Sequence, residues 1–162
     1  MILAVDMGNT QTAIGLFCDD QLLSSWRMPT DRAHTKDEIH VRLLGFFRMY
    51  GHDLSSVEAI AFAGVVPQLV REWEAVAAQI DAEFLAVGRD TAAVTPIVAD
   101  NPSEVGADRI ANSVAAAAFH GAPAIVVDFG TATNIDVVNA DGAYIGGAIA
   151  PGLRISMDAL TA

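Results

Sequence analysis

The chain has 162 residues, 52% of them apolar and 18% charged, a composition that suits one ordinary domain or two small ones and speaks against disorder. Nine Lys and Arg against twenty Asp and Glu leave a net charge of −11, which repels a phosphate backbone and disfavours nucleic-acid binding. The single lysine, Lys36, follows no glycine-rich loop, so GxxxxGK[ST] is absent and a P-loop NTPase is excluded.

Cys18 is the only cysteine, which leaves no internal disulfide or thiolate metal cluster and suits a cytoplasmic setting. The opening MILAVDMGNT has no basic segment, and Asp6 breaks its apolar run too early for a signal peptide. His120, Gly121 and Pro123 interrupt the most apolar later stretch, short of the ~18 residues of a membrane span.

In chain order, Ile2 to Asp6 reads as a buried strand, Gly8 to Thr10 as a turn and Ala13 to Phe17 as a returning strand, with Leu22 to Met28 adding a third. Thr35 and Glu38 have capping-box spacing, and Ile39, Leu43, Phe46, Phe47 and Tyr50 recur at helical intervals until Gly51, which predicts a helix with an aromatic core face. Val57 to Ala63 alternates into a strand, Pro67 suits a first helical turn, Leu69 to Ile80 continues at helical spacing, and Phe84 to Val87 returns to strand. Asn101 to Gly106 is a loop feeding a helix from Asp108 to Phe119. The class is α/β, a mixed sheet with helices on both faces.

After that helix the chain begins again. AIVVDFGTAT, Ala124 to Thr133, matches ILAVDMGNTQ, Ile2 to Gln11, so that Asp6 pairs with Asp128 and Gly8 with Gly130. Asp141-Gly142 turns a second hairpin between Ile135 to Val138 and Tyr144 to Ile149. Two related domains are expected, 1–112 and 113–162, the second incomplete because the later elements of the first have no counterparts. Its sheet should then keep an unpaired edge and an uncovered apolar face.

Each strand-turn unit delivers a carboxylate to the end of a strand, followed by backbone N–H groups that can cradle phosphate oxygens, with Asn9 and Thr10 as neutral donors. Alone, either turn is an ordinary hairpin; two copies suggest a nucleotide's phosphates. Without lysine, such a site neutralises phosphate through bound cations, for which Asp6 and Asp128 are natural holders. Asp108 in Gly106-Ala107-Asp108-Arg109 reads first as a helix N-cap. His34, His40, His52 and His120 lack the spacing of a helical ligand pair.

DMGNTQTAIG at Asp6 to Gly15, WRMPTDR at Trp26 to Arg32, VVP at Val65 to Pro67, NPSEVGADRIAN at Asn101 to Asn112, DFGTAT at Asp128 to Thr133 and GGAIAPG at Gly146 to Gly152 occur in one order. In this combination the sequence resembles the type III pantothenate kinases of the actin-like, sugar-kinase-like ATPase superfamily. The resemblance implies duplicated ribonuclease-H-like domains with ATP in the cleft, and transfer of the γ-phosphoryl to the primary hydroxyl of pantothenate, the first step towards coenzyme A.

It further implies that Asp6, Met7, Gly8, Asn9, Thr10, Gln11, Thr12 and Ala13 cradle ATP phosphates, and that Thr131 contacts ATP. Gly106, Ala107, Asp108 and Arg109 would hold pantothenate, with Asp108 accepting the hydroxyl proton. Asp128 would bind a monovalent cation, K⁺ or NH4⁺, and Asp6 the Mg²⁺ of Mg-ATP through water; family members are homodimers. Gly64 stands where the family usually has Ser, Asn134 where Thr is usual, and Ala99 where an aromatic walls the pantothenate pocket. The family also continues past residue 162, so the fragment alone should be inactive. The competing readings are a transcriptional accessory protein of the same fold, which would be free to lose Asp108 or Asp128, and a sugar or acetate kinase, which GADR disfavours.

Overall fold

The structure is a computed structural model describing residues 1–88, 91 and 95–161; Ala162, the end of the second expected domain, lies outside the described residues. It divides into two compact units, Met1–Val87 and Gly88–Ala162.

In the first unit, strands β1 (Ile2–Met7), β2 (Gln11–Cys18) and β3 (Gln21–Pro29) form an antiparallel meander. Helix α1 (Lys36–Met49) leads to β4 (Ala59–Gly64), and helix α2 (Pro67–Gln79) to β5 (Glu83–Ala86). β4 lies parallel to β1 and β5 parallel to β4, giving the mixed order β3-β2-β1-β4-β5. Alternation sends Leu3, Val5, Met7, Ile14, Leu16, Ile60 and Phe62 to one face. Against that face pack Ile39, Leu43 and Phe47 of α1 and Leu69, Trp73 and Val76 of α2.

The capping box is present: the Glu38 N–H donates to Thr35 Oγ1, and the Thr35 N–H donates to Glu38 Oε2 at 3.0 Å. The Thr35 N–H and the Thr35 hydroxyl, both donating to Glu38 Oε2, hold the Glu38 carboxyl below its ordinary value. Trp26 stacks on Phe46 with ring centroids 5.7 Å apart and meets Phe47 at 5.3 Å. Tyr50 differs from the expected core face. It is the C-cap residue of α1 and stays exposed, touching Trp26 only edge-on.

Phe62 and Gly64 lie on the same side of β4, and a Cβ at Gly64 would collide with the Phe62 ring, itself held against Trp73 and Phe84. Overpacking of this kind costs roughly 1–3 kcal/mol. Gly64→Ser is therefore expected to lower the urea-unfolding midpoint, and an unchanged midpoint would show that the ring gives way freely.

In the second unit, helix α3 (Ala107–His120) precedes an antiparallel meander of β6 (Ala124–Phe129), β7 (Ala132–Val138) and β8 (Tyr144–Pro151), and α4 (Leu153–Thr161) follows. The chain at 96–98 runs beside the start of β8: Tyr144 N–H donates to the Pro96 carbonyl at 2.8 Å, and Val98 N–H to the Tyr144 carbonyl at 2.9 Å. α3 packs on β6 and β7. It thus belongs with the second unit, and the division falls between residues 87 and 88, earlier than the expected 112.

The two faces of this sheet are sharply unlike. Val126, Asp128, Asn134 and Asp136 share one face, as the pairings Val126↔Asp136 and Asp128↔Asn134 require. The opposite face carries Ile125, Val127, Phe129 and Ile135, all exposed, Ile125 by 69% and Phe129 by 67%. The polar side is therefore the covered one.

Candidate active site

In the first unit, β1 brings Asp6 to its carboxyl end, and the chain reverses through residues 8–11, closed by Gly8 N–H to the Gln11 carbonyl at 3.0 Å. Met7 and Thr12 face each other across the hairpin with their side chains inward, Met7 in the core and Thr12 Oγ1 2.8 Å from Thr30 Oγ1. Only their main chain is left to serve a ligand. Asn9, Thr10 and Gln11 are exposed.

Two arginines to which the sequence assigns no role brace this turn. Arg32 Nη2 donates to Asn9 Oδ1 at 3.3 Å, and Arg27 Nη1 to Gln11 Oε1 at 3.1 Å. Pairing places Asp6, Ala13 and Arg27 in one row across β1, β2 and β3. The WRMPTDR motif thus supplies positive charge beside the turn. Its position follows from the register of β3, which spacing along the chain does not reveal.

In the second unit, the cap of α3 is Gly106, whose extended φ of −63° and ψ of 148° start the helix at Ala107 without a side-chain cap bond. Asp108 is therefore in the first turn rather than at the N-cap, a correction to the simplest reading of GADR. In that turn the carboxylate is favoured by the helix dipole. Arg109 and Asn112, three residues apart, project on one side of the helix. Asn112 Nδ2 donates to Asp128 Oδ2 at 3.3 Å, and Arg109 reaches Asp136.

Asp136 is wholly buried, and its Oδ1 accepts from Arg109 Nε at 2.7 Å and from the Tyr144 hydroxyl at 3.0 Å, with Arg109 Nη2 in ion-pair contact at 2.6 Å. Among the described residues, its Oδ2 and Arg109 Nη2 are buried without a hydrogen-bond partner. Burial, reinforced by the bond to Asp136, pushes the Tyr144 phenol up to about 12, so it remains a donor at neutral pH. Asp136 and Tyr144 were not singled out in the sequence. The available signal was a carboxylate at an alternation position inside NIDVV, which only a buried partner could accommodate.

The second turn is tighter than the first. Phe129 pairs with Thr133 around residues 130–132, closed by Gly130 N–H to the Ala132 carbonyl at 2.9 Å, whereas Met7 pairs with Thr12 around residues 8–11. The sequence match of the two copies therefore ends at the turn in structural terms. Asn134, the counterpart of Thr12 in sequence, faces α3 beside Asp128 instead of entering an apolar core. Thr131 is exposed at the turn, and a Cβ at Gly152 would strike the carbonyls of Gly130 and Thr131, so the start of α4 backs directly onto it.

A five-stranded mixed sheet flanked by helices and a second β-meander with its helix define an actin-like, sugar-kinase-like ATPase fold. A solved 2-dehydro-3-deoxygalactonokinase, described as putative, from Sinorhizobium meliloti superposes with a TM-score of 0.57 at 16% identity, over 92% of this chain and 53% of that one. The family model for type III pantothenate kinases matches residues 2–162, and the chain belongs to that family. The curated type III pantothenate kinase of Streptomyces coelicolor is 45% identical over 99% of this chain and 63% of its own length. That of Moorella thermoacetica is 44% identical, over 100% of this chain and 64% of its own length. The chain thus spans somewhat less than two thirds of the curated relatives it matches.

Proposed function

We propose that the full-length protein phosphorylates pantothenate with Mg-ATP in the first step of coenzyme A synthesis, acting in the cytoplasm as a homodimer. The observation that carries this reading is the seating of GADR: α3 is tied to two carboxylate-bearing strands by Arg109–Asp136 and Asn112–Asp128, with Asp108 in its first turn. In the proposed reaction Asp108 accepts the proton of pantothenate's primary hydroxyl. The hydroxyl oxygen attacks the γ-phosphorus, and ADP departs with the bridging oxygen. Gly106, Ala107 and Arg109 hold the acceptor. The main chain of Asp6 to Ala13, the side chains of Asn9, Thr10 and Gln11, and Thr131 hold ATP phosphates.

The donor set fits hard cations. Asp128 is a half-buried carboxylate with Asn134 opposite it and backbone carbonyls in the adjoining turn, all oxygen donors. Among the described residues no three His, Cys, Asp or Glu side chains converge, so a cation would take much of its coordination from phosphate, carbonyl or water oxygens. Asp128 would hold the monovalent ion and Asp6 would meet Mg²⁺ through water; such ions offset phosphate charge at a site without lysine.

ATP turnover by the full-length protein, measured with and without pantothenate, tests the reaction; equal rates overturn it. Asp128→Ala is expected to raise the ATP requirement and to remove activation by potassium, so that wild type in sodium alone resembles the variant. Potassium activation that survives the substitution would remove Asp128 from this role.

A further inference from the structure

Arg109 sits in a socket made for a guanidinium. Asp136 of β7 accepts from its Nε and lies in ion-pair contact with its Nη2, the Tyr144 ring of β8 lies 5.8 Å from Cζ, and the Tyr144 hydroxyl donates to the same Oδ1. Tyr144 is itself held by main-chain bonds to Pro96 and Val98. Gly147, opposite Asp136 in the register, completes the socket: a Cβ there would collide with the Ile135 carbonyl, Arg109 Nη2 and Asp136 Oδ1. Three positions on two strands are thus shaped around one cation.

Stability alone explains this poorly, because a buried ion pair seldom outperforms a well-packed apolar pair and here leaves one carboxylate oxygen unpartnered. The arrangement does suit a planar cation that must present one edge at a fixed place. Asp136 occupies the Nε side of the fork, leaving the Nη1 side turned away from it, and the Arg109 side chain keeps 13% of its surface exposed.

We propose that Asp136 and Tyr144 are positioning residues which aim the Arg109 guanidinium at the carboxylate of the phosphoryl acceptor, and so set acceptor affinity without touching the acceptor. This rests on the reading of Arg109 as an acceptor-binding residue. Tyr144→Phe removes one hydroxyl and leaves the ion pair; Asp136→Asn keeps the shape and removes the charge. Hydrogen bonds to charged groups are worth enough that the pantothenate KM should rise by about tenfold in Asp136→Asn and by a smaller factor in Tyr144→Phe. The KM for ATP and kcat per folded molecule should change far less.

The measurement is steady-state kinetics of the full-length protein, with active protein counted by nucleotide-analogue titration. A purely structural role predicts fewer active molecules with both KM values unchanged, and that result in folded Tyr144→Phe overturns the proposal even if Asp136→Asn fails to fold. Wild type without pantothenate-dependent turnover would instead overturn the functional reading itself. Wild type active with a selective rise in the acceptor KM supports both.

Discussion

Asp108→Asn in the full-length protein is expected to lower turnover by roughly 10²- to 10⁴-fold, the usual worth of a general base. The amide keeps the size of the side chain but cannot take the proton that leaves the acceptor hydroxyl. Folding should survive, because the cap of α3 is Gly106 and no side-chain cap bond is lost. The charge removed from the first turn is worth only about 0.3–1 kcal/mol of dipole interaction. ATP affinity should also hold. A folded Asp108→Asn protein turning over near the wild-type rate would show that the carboxylate is merely a helix-start residue.

The largest effect on stability is expected from Arg109→Ala. It strips the counter-charge and the Nε hydrogen bond from the wholly buried Asp136, leaving only the Tyr144 hydroxyl on a carboxylate that water does not reach. Breaking a buried pair from one side typically costs about 3–5 kcal/mol, a large part of a small domain's stability. Arg109→Lys should recover little, since an ammonium at the end of a lysine stem cannot reproduce both the Nε donor and the planar guanidinium against the Tyr144 ring. Replacing both partners, as in Arg109→Met with Asp136→Leu, should restore much of the loss, because no unpaired charge then remains. Urea unfolding of the four proteins measures this, and an Arg109→Ala midpoint equal to wild type would mean the pair holds nothing.

Much of the first unit was legible in the sequence because its signals are local. The Thr35–Glu38 capping box, the Pro67 helix start and the alternation of Ile2 to Asp6 each depend on near neighbours, and the elements fall within a few residues of expectation. The family was legible too, through motifs in a fixed order. What escaped were consequences of pairing between distant segments. Arg27 stands beside the Gly8 turn because β3 pairs with β2 in one register, and Asp136 meets Arg109 because α3 lies over β7. The helix cap was misplaced by two residues, from Gly106 to Asp108, because Asp is the stronger capping residue in isolation while the extended backbone at Gly106 decides the start here. The matching letters of the two hairpins also concealed a turn one residue shorter in the second, since loop closure depends on backbone geometry.

That shorter turn bears on how the second unit can change. Along β6 the residues bound for α3 and those bound for the far side interleave one by one, so Asp128 and Phe129 differ in environment only by the parity of their positions. Adding or removing one residue upstream within the strand would exchange the sets, turning Phe129 towards Asn112 and Asp128 away from it. A change of two residues would keep every side chain on its own side. A single-residue change can be kept only where a bulge takes it up, as at Ile145 between β7 and β8, or in the turn, where no alternation is at stake.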